Sequence, residues 1–321
     1  MRRVRYEHSG GPDVLFTEDV PVPVPEPGEL LVRVEAAGVT LPVVRKVREP
    51  RDPIPLGGEI AGEVVSTGDG VSGYAPGDRV TGLCFGHGYA EFALLRSEMA
   101  SPVPDGASAV DAVALVRSGL VAYGALDAAR PARGEAALIT AAASGVGHLA
   151  LQLAKSRGAS RVVGAVSVGA VPVGAVPGDT TGSGKVDFLR SLGADEVITY
   201  DEETWGEPVD YVLDAVGGEL LTPAVRALAP HGRLVAYSSG GGTVQAYDLL
   251  VGAKSVTGFQ MALIASGRPE VYERWRRELW RLFTTGALRP AVHAEFALED
   301  AAKAHAVIEA RGNLGKVVLI P

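Results

Sequence analysis

The 321-residue chain is 47% apolar and 21% charged, enough for about two domains with ordinary cores and too apolar for overall disorder. Its formal charge of −8, from 30 Lys and Arg against 38 Asp and Glu, repels polyanions, so no nucleic-acid partner is expected. Gly, Pro or charge interrupts every apolar run short of the roughly 20 residues of a membrane span, and the basic start, Met1 to His8, leads into no apolar segment. Neither a membrane partner nor a secretory signal is therefore expected, and a cytoplasmic location is.

In chain order, Pro21, Pro23, Pro25 and Pro27 mark an extended segment. Short β-branched runs follow at Leu30 to Glu35, Ile60 to Val65 and Asp78 to Val80, broken by Gly and Pro, which predicts a compact β-rich unit. The single cysteine, Cys84, excludes a disulfide within the chain and any zinc site built from several thiolates, and reads as a small core residue. From about Ser118 strands and helices alternate, as in parallel βαβ units. Strands are expected at Ala136 to Thr140, Arg161 to Val166, Glu196 to Thr199, Val209 to Leu213 and Arg233 to Tyr237. Helices are expected at His148 to Arg157, Val186 to Leu192 and Thr222 to Leu228. The pattern describes an α/β fold with a doubly wound parallel sheet. Beyond Gly258, amphipathic helices at Glu270 to Phe283 and Leu298 to Ala310 and a strand at Lys316 to Ile320 are expected to return to the first unit. The expected division is 1–117, 118–258 and 259–321, the last completing the first.

Three copies of Val-Gly-Ala-Val begin at Val163, Val168 and Val173, with Pro172 and Pro177 between and after the later ones. Three copies are too few for a solenoid and Pro blocks central pairing, so 163–177 reads as a flexible insertion after the second strand, with the copy that forms the strand left open.

Gly145-Val146-Gly147-His148-Leu149-Ala150 matches G-x-G-x-x-G/A between a strand and a helix. Small residues there let the backbone approach a pyrophosphate at the helix N-terminus, where unpaired N–H groups favour anions, so this is a dinucleotide site of the Rossmann type. No Asp or Glu occurs between Glu135 and Asp179 to hold the ribose hydroxyls of NAD. Ser167 and Lys185 are instead placed to meet a 2′-phosphate, which predicts NADPH as cofactor. Gly182 to Lys185 is not a Walker loop, because Asp179 and Val186 stand where Gly and Ser/Thr are required. Nor is this a short-chain dehydrogenase: no Tyr from Tyr200 to Tyr272 has a Lys four residues on.

The order of motifs resembles the medium-chain dehydrogenase/reductase superfamily, and within it the zinc-free quinone oxidoreductase (zeta-crystallin-like) family. The resemblance runs through Pro27 to Val39, Leu56-Gly57-Gly58-Glu59-Ile60-Ala61-Gly62, Gly77-Asp78-Arg79-Val80, Tyr89-Ala90-Glu91, Gly119 to Tyr123, Ala141 to Gly147, Asp214 to Gly218 and Gly315 to Leu319. It implies a GroES-like β-rich catalytic domain, a Rossmann NADPH-binding domain, a cleft site and a homodimer. Thr40 and Gly58 stand where zinc-dependent relatives carry Cys and His, so no metal is expected. Cofactor contacts are implied at Ser144, Gly145, Val146 and Gly147 for the pyrophosphate, and at Ser167, Lys185 and Tyr200 for the 2′-phosphate and adenosine. Val216, Ser238, Ser239 and Gly240 are implied along the strand ends, with Phe259, Gln260 and Met261 near the nicotinamide.

The expected chemistry is hydride transfer from NADPH to a small electrophilic acceptor, a quinone or related α,β-unsaturated carbonyl compound. Arg45, with Thr40, Lys46 and Tyr89 behind it, is expected to face that acceptor, Arg45 or Lys46 steadying the oxyanion that hydride creates. An enoyl-thioester reductase and a catalytically idle NADPH-binding protein remain alternatives. The departures from the family at Thr40, Arg45 and Val121 keep the last one open.

Overall fold

Ala136-Ala137-Leu138-Ile139-Thr140 is apolar along its length, as a strand covered on both faces must be. A computed structural model of the protein describes residues 1–84, 86–167, 182–237 and 240–321. In it that run is one of the two central strands of a six-stranded parallel sheet. The spatial order is Glu196–Thr199, Arg161–Val166, Ala136–Thr140, Val209–Asp214, Leu228–Ala236 and Ser255–Gly258. The order reverses between Ala136–Thr140 and Val209–Asp214, where such sheets open a crevice beyond their carboxyl ends. Leu138, Val163, Val212 and Leu234, one from each of four neighbouring strands, are buried in one core with Trp205, Leu221 and Val225. Each contributes about 1.5–3 kcal/mol by leaving water. The helix Gly147–Ser156 buries Leu149, Leu151, Leu153 and Ala154, the residues its spacing points inward.

The first Val-Gly-Ala-Val copy forms the second strand, with Val163 opposite Leu138 and Gly164 opposite Ile139. Gly164 lets the neighbours pack closely: a Cβ would sit 3.0 Å from Leu189 Cδ1 and 3.2 Å from Ala142 Cβ. The later copies fall outside the described residues. Two expected boundaries move. The helix expected from Val186 spans Gly182–Ser191, and the strand expected from Arg233 begins at Leu228. Pro230 and Gly232 disguise that earlier start, and the pairing with Val209–Asp214 shifts register between Val209 and Tyr211.

The chain divides into two compact units, residues 1–117 with 290–321, and residues 118–289. In the first unit the 11-residue strand Glu29–Val39 pairs antiparallel with Ile60–Thr67, Phe92–Arg96 and Lys316–Ile320. The last strand of the chain thus joins the first sheet, beside Val292–Ala297. The expected third segment needs correction, because 259–289 belong to the second unit. Helix Pro269–Thr284 buries Val271, Tyr272, Trp275, Leu279 and Leu282. Its apolar face is received by glycines. A Cβ on Gly119 would lie 2.8 Å from Leu279, and one on Gly124 2.3 Å from the Phe259 ring and 2.8 Å from Trp275. Gly119 and Gly124 belong to Ala109–Ala129, the one helix among the described residues long and apolar enough to cross a membrane; 67% of its most apolar window is buried within the protein.

Candidate cofactor and acceptor site

At the carboxyl ends of the parallel strands the backbone turns are held by side chains. Ser144 Oγ accepts the Gly147 N–H at 3.1 Å, and His148, fully buried, donates Nδ1–H to the Ser144 carbonyl at 2.9 Å. The ten-residue helix therefore starts at Gly147, whose own N–H is taken by Ser144, and Gly145 and Val146 lead into its N-terminus, the end where a phosphate is favoured. Gly147 admits nothing larger, since a Cβ would lie 2.2 Å from the Ala141 carbonyl oxygen and 2.7 Å from Ala142 Cα. Ala141 itself is left-handed, at φ 47°, a conformation that glycine adopts more readily.

Ser167 and Lys185, separated by 18 residues, meet at the end of the second strand. Lys185 Nζ donates to the Ser167 carbonyl at 2.9 Å and lies 3.4 Å from its hydroxyl, with the lysine 2% exposed. Tyr200 is drawn in by a backbone role. Its hydroxyl accepts the Ala141 N–H at 2.6 Å and donates to the Ala165 carbonyl at 3.1 Å, while its ring lies 5.8 Å from that of Trp205. Val216 and Gly240 are also together: a Cβ on Gly240 would fall 1.8 Å from the Val216 carbonyl oxygen. Phe259 fills the notch at Gly124, with its ring 6.2 Å from Trp275, and Gln260 leads into helix Met261–Gly267. Ser238 and Ser239 lie outside the described residues. Beside them, the buried Tyr237 hydroxyl has no hydrogen-bond partner among the described residues, and burial pushes that phenol's pKa upward.

In the first unit, Thr40 precedes an unanticipated helix, Leu41–Arg48, and its carbonyl accepts the Val43 and Val44 N–H groups at 3.1 Å. Pro42 in the first turn, with Val44 and Val47 buried three residues apart, is the signal that sequence reading passed over. Arg45 is half-buried and Lys46 exposed. As consecutive helical residues they point about 100° apart and do not share a face. Tyr89 requires a correction. It is 1% exposed and packed edge-on against His305, Nε2 lying 3.3 Å from its hydroxyl, so it is a core residue and not one presented to an acceptor. Burial raises the Tyr89 pKa and lowers that of His305 to about 4. Cys84 is buried, as expected, and its thiol is pushed up to about 12 by burial.

Two family models match, the alcohol dehydrogenase GroES-like domain over residues 26–105 and the zinc-binding dehydrogenase domain over residues 192–319. A quinone oxidoreductase of Pseudomonas aeruginosa is 32% identical, covering 100% of this chain and 99% of that protein. The chain belongs to the quinone oxidoreductase family. It shares that family's medium-chain dehydrogenase/reductase architecture. A mycobacterial protein solved in complex with NADPH superposes with a TM-score of 0.89 at 30% identity, covering 100% of both chains. Quinone oxidoreductase from Escherichia coli, also complexed with NADPH, gives 0.87 at 28% identity, again covering 100% of both. In this quinone oxidoreductase-family chain, the sequence reading assigned nothing to Thr140, Asp214 or Tyr237. The acidic residue before Val216-Gly217-Gly218 was the available signal.

Proposed function

We propose that the protein is an NADPH-dependent reductase that delivers hydride to a quinone or a related α,β-unsaturated carbonyl compound. The observation that carries this reading is the Lys185 ammonium anchored on Ser167, at a strand end with no acidic side chain to hold an unphosphorylated ribose. The residues fit the dinucleotide: Ser144 to Gly147 offer a phosphate a helix N-terminus, the Ser167 hydroxyl offers a donor for the 2′-phosphate, and Lys185, buried behind it, adds positive charge. Val216 and Gly240 provide a narrow floor, with Phe259 to Met261 beyond. When bound, the dihydronicotinamide supplies the hydride. Arg45 and Thr40 are proposed to face the acceptor, the guanidinium steadying developing negative charge while water supplies the proton.

The reaction is proposed to run without a metal. Thr40 and Gly58 carry no ligating atom of the kind zinc prefers, and no group of three or more His, Cys, Asp or Glu among the described residues is arranged to hold an ion. Purified protein is expected to oxidise NADPH with an ortho-quinone and to prefer it to NADH in kcat/KM. Substituting Lys185→Met is expected to reduce that preference about tenfold, the worth of one charge-assisted hydrogen bond. Equal use of both cofactors by the wild type would sink the 2′-phosphate assignment, and preference for a 2-enoyl thioester over the quinone would move the enzyme to acyl-chain reduction.

A homodimer is also proposed. Ser255–Gly258 is the outermost strand of the parallel sheet and is largely exposed, and Tyr247, Leu250, Val251 and Leu263 are 66–74% exposed in the same unit. An unpaired edge beside apolar side chains suits an identical edge related by a twofold axis. Light scattering should give twice the chain mass, and Val256→Pro should halve it; a monomeric wild type would refute this.

A further inference from the structure

We propose that Asp214, fixed by Thr140, is a positioning residue for the cofactor: from beneath the sheet end it sets the height of the Val216–Gly217 turn on which the dinucleotide lies. The inference rests on the NADPH reading above. Asp214 ends the strand Val209–Asp214, Thr140 ends Ala136–Thr140, and both are 0% exposed, so neither side chain reaches a ligand directly. A carboxylate so placed must find its partners inside the protein. Asp214 Oδ1 accepts the Thr140 hydroxyl at 2.8 Å and the Val216 N–H at 3.1 Å, and Oδ2 accepts the Gly217 N–H at 2.9 Å. Thr140 Oγ1 in turn accepts the Ala215 N–H at 2.8 Å. Three consecutive backbone N–H groups are therefore turned inward onto two side chains.

The turn they hold is left-handed at Gly217, φ 67°, and at Gly218, φ 60°. It is pressed directly against 240–242. Gly218 N–H donates to the Gly241 carbonyl at 2.9 Å, and a Cβ on Gly217 or Gly242 would come within 2.7 Å of backbone oxygen across the contact. The two segments thus touch backbone to backbone, and a shift of the Val216–Gly217 turn is felt at Gly240. Both belong to the floor proposed for the cofactor, and both lie beside the reversal in strand order. Apolar residues in these two places would leave the three inward-facing N–H groups without acceptors. A buried Thr–Asp pair fixes one geometry instead.

The test compares Thr140→Val, which keeps the shape and deletes the hydroxyl, with Thr140→Ser, which keeps the hydroxyl. Asp214→Asn, which places an amide hydrogen against the Gly217 N–H or the Thr140 hydroxyl, is the second disruption. NADPH affinity is read by titrating the reduced-nicotinamide fluorescence, and KM and kcat are measured with a quinone. Thr140→Val should raise Kd and KM for NADPH about tenfold with the quinone KM unchanged, and Thr140→Ser should restore both. A purely structural role would lower the melting temperature and leave the NADPH Kd of folded protein within twofold, which would overturn the proposal; if Asp214→Asn fails to fold, Thr140→Val decides alone. A wild type that binds no NADPH would overturn the functional reading as well, whereas wild-type binding with unaltered variants overturns only this one.

Discussion

Replacing Lys316 by methionine is expected to destabilise the protein by about 3–5 kcal/mol, because it leaves a buried carboxylate without its counter-charge. Lys316 and Glu59 are each 2% exposed, and Lys316 Nζ donates to Glu59 Oε1. Glu59 Oε2 has no hydrogen-bond partner among the described residues. Gly38 makes the room: a Cβ there would run into the Glu59 carboxyl group at 2.3 Å. Burial lowers the Lys316 pKa while Glu59 pulls it back up, and burial is the larger of the two. The ammonium is thus stable only as one half of a pair. The double variant Glu59→Leu with Lys316→Met, which puts apolar side chains in place of both charges, should recover most of the loss, since an apolar replacement of a buried pair is often tolerated. Urea unfolding at neutral pH measures both. A single variant within about 1 kcal/mol of wild type would show that the Glu59 carboxylate does not depend on Lys316 for its burial.

Gly147→Ala is expected to weaken NADPH binding tenfold to a hundredfold, for a steric reason that no side-chain rotation relieves. The added methyl would meet the Ala141 carbonyl oxygen and the Ala142 backbone. Those atoms are themselves tethered, Ala141 N–H to the Tyr200 hydroxyl and Ala142 N–H to the Ala165 carbonyl at 3.1 Å. The helix must therefore back away from the strand end, and overpacking of this kind costs about 1–3 kcal/mol. At 1.4 kcal/mol per decade the phosphate contact loses most of its worth. Fluorescence titration with NADPH gives the affinity directly, and an unchanged Kd in folded protein would show that the cradle is softer than its contacts imply.

What was readable in the chain was what local chemistry decides. The run Ala136–Thr140, the glycine turn and the helix after it follow from apolar spacing and small residues, and so does the strand Lys316–Ile320, whereas three like copies of Val-Gly-Ala-Val left open which of them pairs. Unreadable features depend on partners far along the chain. Nothing local tells that Tyr89 faces His305, 216 positions later, and is therefore core. Glu59 finds Lys316 across 257 positions, and Thr140 finds Asp214 across 74. The helix Leu41–Arg48 was hidden by its brevity, and the early start at Leu228 by Pro230. Residues 259–289 were misassigned because an amphipathic helix shows which face it buries but not which surface receives it; Gly119 and Gly124, far upstream, supply that surface.

The antiparallel pairing of Lys316–Ile320 with Glu29–Val39 imposes an order on synthesis. The ribosome makes Glu29–Val39 early and its sheet neighbour almost three hundred residues later. All of 118–289 emerges in between and holds every strand of its own sheet, so it is able to close while translation continues. The half of the molecule made first is thus the half that must wait, with the Ala37–Val39 end of its longest strand unpaired on one side until Lys316–Ile320 has been made.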